Sequence, residues 1–103
     1  ENILLLNSKG YHHKNVAMEY QSLSMSESAD EHLDIAEKTF RIILTQDEND
    51  ANAWNGLGSL YMLRYKPDQA EAYIRKALEI NPEHSGAKHD LAFIIENSDK
   101  FKR

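Results

Sequence analysis

The stretch ANAWNGLGSLY, residues 51–61, sets two glycines, Gly56 and Gly58, beside the chain's only tryptophan, Trp54. The apolar spacing around them is helical, yet each glycine costs a helix interior about 1 kcal/mol relative to alanine. A helix that keeps both must need little bulk at one of these positions. Trp54, Leu57, Gly58 and Tyr61 recur at i, i+3, i+4 and i+7, which places them on one stripe. Gly56 falls on another face.

The pattern continues outward from this stretch. Ala70, Tyr73, Ile74, Ala77 and Leu78 form a second stripe, Leu91, Ala92, Ile94 and Ile95 a third, and Leu33, Ala36, Phe40, Ile43 and Leu44 a fourth. Little alternates with the period of a strand, so the spacing predicts an all-α chain. Pro67 suits the first turn of a helix, where its missing N–H is harmless, and Asp68 and Glu71 bring negative charge to that helix's positive end. Asn81-Pro82 stops it. Helices are predicted over 12–26, 31–46, 51–64, 67–80 and 85–97, and their short connections imply antiparallel neighbours. Residues 1–11 read either as irregular or as the end of a preceding helix, with Gly10 near its stop.

The spacing Trp54-x-x-Leu57-Gly58-x-x-Tyr61, then Ala70-x-x-x-Ile74, Ala77 and Pro82, resembles the tetratricopeptide repeat. The resemblance runs through 51–84 without insertion; Ile74 stands where the pattern has phenylalanine, and Tyr65 where a turn glycine is common. It implies helix–turn–helix units stacked as a short right-handed α-solenoid. In such a unit Gly58 and Ala70 let two helices approach closely while Trp54, Leu57, Tyr61, Ile74, Ala77 and Pro82 complete the core, so Gly58→Leu overpacks the crossing. One repeat downstream, Leu91, Ala92 and Ile95 take the places of Leu57, Gly58 and Tyr61. Residues 85–103 are therefore the first helix of a further repeat or a capping helix, with Asp99-Lys100-Phe101 at the next turn. Upstream, Ala36, Phe40, Ile43 and Leu44 match the second helix. The first helix matches only when slid by seven residues, to Val16, Ala17 and Tyr20. Residues 12–50 thus read as an irregular repeat with an insertion near 22–28, where SLSMSES looks like a loop or frayed helix.

The 103 residues carry a net charge of −5 and no cysteine. Eight acids between Glu27 and Asp50 face only Lys38 and Arg41, and an acidic body repels phosphate backbones, so nucleic acid is not an expected partner. No run reaches the roughly 20 apolar residues of a membrane span, no secretory signal is evident, and a cytoplasmic location is the expectation. There is no Gly-rich phosphate loop, GxSxG or HExxH. His12 and His13 are adjacent and point apart, His84 and His89 have poor metal spacing, and the histidines read as solvated or partly packed. Neither an enzyme, a metal nor a cofactor is expected.

In tetratricopeptide arrays the first helix of each repeat lines a concave groove that takes an extended peptide or a helix. Carried over by position, the resemblance assigns Asn52, Asn55, Ser59 and Met62, followed by His89, Phe93 and Glu96, to that groove. Helical geometry independently puts 52, 55, 59 and 62 on one face. A subgroup clamps the terminal carboxylate of chaperones with lysine and asparagine. At the comparable positions stand Asn52, Asn55, Gly56, Ser59, Gly86, His89 and Asp90, none of them basic, so a neutral or basic peptide fits better. The expected function is a protein–protein interaction scaffold. The competing reading is a structural or self-associating segment of a larger protein, motivated by the apolar Ile3–Leu6 start.

Overall fold

The structure, a computed structural model, describes residues 2–97. They form five helices: α1 Ile3–Ser22, α2 Ser26–Gln46, α3 Ala51–Leu63, α4 Pro67–Ile80 and α5 Ser85–Glu96. Among the described residues there is no strand, and no helix is long and apolar enough to cross a membrane. The chain divides into two compact units, residues 1–48 and 49–103.

In the second unit α3 and α4 form an antiparallel hairpin and α5 packs on α4. Gly58 marks the crossing of the hairpin. A Cβ built there would lie 2.5 Å from Ile74 Cγ1 and 3.2 Å from the Ala70 carbonyl oxygen, so no side chain fits without displacement. Leu57, Leu60, Ala70, Ile74 and Ala77 are fully buried around this contact. Trp54 and Tyr61 are half-buried and flank Tyr73, with centroids 6.0 and 5.3 Å from its ring. Gly56 is also buried. Pro82 is exposed: it stands in the turn after α4, so its role is to end the helix rather than to fill the core.

In the first unit α1 and α2 form a hairpin of the same kind, but longer. α1 has 20 residues against 13 in α3, and α2 has 21 against 14 in α4, so each helix gains seven. Seven residues are close to two turns, which keeps the buried stripe on its face. Gly10 now does what Gly58 does, since a Cβ there would lie 2.7 Å from Phe40 Cε1 and Cζ. Two turns nearer the connection, Ala17, Ala29 and Leu33 repeat the pattern and are fully or almost fully buried.

These observations correct the sequence expectation upstream of residue 50. Residues 3–11 belong to one continuous helix with 12–22, and α2 begins at Ser26 rather than at 31. The extra residues lie inside the two helices, not in a loop at 22–28, and the connection is only Leu23–Met25. Counted from that connection, Ala17 and Tyr20 do match Gly58 and Tyr61. Counted from the open end, Gly10 takes the glycine position. The chain near Asp99-Lys100-Phe101 lies outside the described residues.

The two hairpin connections are alike. Ser24 and Tyr65 both have positive φ, 61° and 60°. In each, the next N–H donates back to a tyrosine carbonyl, Met25 to Tyr20 at 2.8 Å and Lys66 to Tyr61 at 2.9 Å. The N–H groups of Ser24 and Tyr65 donate to Gln21 and Met62, both at 3.0 Å. This pair of bonds satisfies the last carbonyls of a helix through one left-handed residue.

Candidate binding face on α3 and α5

The starts of α1, α3 and α5 are each fixed by a side-chain cap, from Asn2, Asp50 and His84. His84 is the unusual one. Its Nδ1 accepts from the Ala87 N–H at 3.0 Å, so Nδ1 carries no proton. The ring hydrogen is then on Nε2, which donates to Asn52 Oδ1 at 2.6 Å. One imidazole thereby caps α5 and ties it to the first turn of α3.

One turn further along, Asp90 of α5 holds the middle of α3. Its Oδ2 accepts from Asn55 Nδ2 and from Ser59 Oγ, each at 3.0 Å. Asn55 is only 4% exposed, and a carboxylate acceptor roughly doubles the strength of such a bond relative to a neutral one. Gly86 allows the approach, because a Cβ there would lie 2.9 Å from Asn55 Oδ1. Asp90 itself keeps 21% side-chain exposure, and its Oδ1 lies 3.6 Å from His89 Nδ1.

The structure therefore divides the seven expected groove residues. Asn55 is buried and spends its amide on Asp90, so it sets the helix spacing instead of offering a free contact. Ser59 is half-buried on the same carboxylate. Asn52, His89, Phe93 and Glu96 are exposed and Met62 is half-buried. Phe93, 44% exposed, is the large apolar residue of this set on α5. Two participants were missed as such in the sequence, His84 and Asp90. Their signal was available: His84 sits 34 residues after the capping Asp50, and Asp90 lies between the apolar positions 87 and 91 of α5.

Residues 51–84 match the family described as Tetratricopeptide repeat. Residues 51–84 are thus a tetratricopeptide repeat. The chain is also 32% identical over 76 residues to Anaphase-promoting complex subunit 3 of Schizosaccharomyces pombe, a match that takes in 74% of this chain and 11% of that protein. The chain thus spans about a tenth of the length of the curated relative it matches. The matched repeat, 51–84, is the α3–α4 hairpin and the turn that follows it, ending on the α5 cap His84, and α5 begins one repeat length after α3.

Proposed function

We propose that the chain is a protein–protein interaction module that takes an extended peptide of neutral or basic character on the α3–α5 face. The observation that supports this reading is the Asp90 carboxylate, fixed by Asn55 and Ser59 yet still partly exposed, beside exposed Asn52, Phe93 and Glu96. A preorganised acid attracts a lysine or arginine without the entropy cost of ordering it. Phe93 and Met62 supply adaptable apolar contact, and Asn52 offers polar contact to a peptide backbone. The relative's name places it in a multi-subunit complex, which fits a module whose work is to hold other proteins.

Fluorescence-anisotropy titrations with extended peptides of basic, neutral and acidic composition test it. Basic or neutral peptides bind and acidic ones do not. Phe93→Ala weakens binding about tenfold, as expected for an aromatic anchor, and Asp90→Asn removes the preference for basic peptides. Equal binding by wild type and both variants, or by no peptide at all, overturns the reading.

The structural alternative keeps one observation of its own: Leu4 and Leu5 of α1 are 76% and 70% exposed. Sedimentation of the wild type and of Leu4→Ser/Leu5→Ser separates the two. A concentration-dependent mass lost in the variant favours self-association.

A further inference from the structure

The seven residues added to each helix of the α1–α2 hairpin bring together side chains that have no counterpart in the 34-residue repeat. His13 of α1 and His32 of α2 meet through their Nδ1 atoms at 2.8 Å. The ring centroids are 5.0 Å apart with planes within 20°. Each nitrogen lies only a ring radius from its own centroid, so both nitrogens must lie close to the line joining the centroids. The rings meet edge to edge, and the two Nδ1 atoms point at each other. Tyr20 stacks on His32 at 5.5 Å with planes 17° apart, which fixes that ring.

We propose that His13 and His32 form a two-imidazole site for a transition-metal ion of the zinc, copper and nickel group, clasping α1 to α2. A tetrahedral ion with metal–nitrogen bonds of about 2.0–2.1 Å needs its two nitrogens roughly 3.3 Å apart. That is about half an ångström more than the present separation, and each half-buried ring must also turn by roughly 35° so that the two lone pairs meet at the ion instead of facing each other. In the N–H···N bond one Nδ1 is unprotonated and its lone pair accepts the other ring's hydrogen; both lone pairs become available when that hydrogen moves to Nε2 of its own ring. No proton is lost overall if both rings are neutral; one is released to water if the pair holds an extra proton. Imidazole selects this group of metals over magnesium or calcium. Among the described residues no three metal-binding side chains converge, so water completes the coordination.

Calorimetric titration of the full chain with Zn²⁺, Ni²⁺ and Mg²⁺ at neutral pH tests the site. Zn²⁺ and Ni²⁺ bind once per chain at submillimolar concentration and Mg²⁺ does not. His13→Gln and His32→Gln each weaken binding at least about tenfold. Circular dichroism without metal checks that the variants fold. On the wild type alone, imidazole ¹⁵N spectra with Zn²⁺ show Nδ1 ligation and Nε2–H at His13 and His32. No saturable binding at millimolar metal, binding that survives in folded His32→Gln, or ligation shifts at other histidines overturns the proposal.

Discussion

At Gly10 and Gly58 the missing Cβ sets how closely two helices pack, and the two sites differ in what stands opposite. Gly58 faces Ile74 Cγ1 and the Ala70 backbone, neither of which can move far. The three atoms nearest a Cβ at Gly10 all belong to the Phe40 ring, Cε1, Cζ and Cδ1. Gly10→Ala gains about 1 kcal/mol of helix propensity but overpacks a full site at about 1–3 kcal/mol. A net loss of about 1 kcal/mol is expected from urea denaturation. Phe40→Leu removes the ring atoms that clash, so Gly10→Ala combined with Phe40→Leu is more stable than the sum of the single changes predicts. Gly58→Ala has no such partner, because the Ala70 carbonyl remains in the way. The close contact at Gly58 was legible in the sequence since Trp54, Leu57 and Tyr61 frame it. That at Gly10 was not, because Lys9 and His13 stand where Leu57 and Tyr61 do.

Among the elements, the connections are where local sequence and conformation disagree. Tyr65 is 77% exposed and held at φ 60°, a region in which a side chain costs roughly 1–2 kcal/mol. Tyr65→Gly relieves that strain at some entropic cost in the unfolded chain. A gain of about 0.5–1 kcal/mol is expected, read as a higher urea midpoint with unchanged slope, and Ser24→Gly acts alike. The bounds of α3, α4 and α5 were legible to within a residue, because Pro67, Asn81-Pro82 and a regular stripe mark them. α1 was not, because exposed Leu4 and Leu5 flank buried Leu6 and blur the stripe. The polar ties between helices were hidden for another reason. Asn52–His84 and Asn55–Asp90 join residues 32 and 35 apart, and only the packed elements bring them together. The α1–α2 pair also carries a pH dependence. Packed against His13 are Lys9 and His12 on its own helix and His32 across the hairpin, all capable of positive charge. Folded His13 therefore titrates below its ordinary 6.5, so the unfolded chain takes up more protons as pH falls past that value. The stability this supplies is present above 6.5 and is lost as pH falls through the depressed folded value. With chelator present, the melting temperature should drop from neutral pH to about pH 5, and the drop should be shallower in His13→Gln.

Across the whole chain the first-helix caps Asn2, Asp50 and His84 mark out lengths of 48 and 34 residues, and the difference lies entirely between the glycine crossing and the connection. Both hairpins run seven helical residues before their glycine and six after the aromatic or isoleucine that meets it. A matched excision is therefore predicted to succeed. Removing 13–19 and 29–35 together leaves Gly10-x-x-Tyr20 and Ala36-x-x-x-Phe40, the spacing found at Gly58 and Ile74. The shortened chain should keep its helical circular dichroism and a cooperative melt, whereas removing either segment alone should abolish the melt of that hairpin. Length in this hairpin is thus quantised. One heptad advances each rod by about 10.5 Å with little rotation, and a step is silent only when both rods take it at once. Mutation that adds or deletes residues singly is filtered out, while paired changes pass without disturbing the capped ends. The reach of a hairpin can accordingly drift in coarse increments while the spacing of its packed crossing stays fixed.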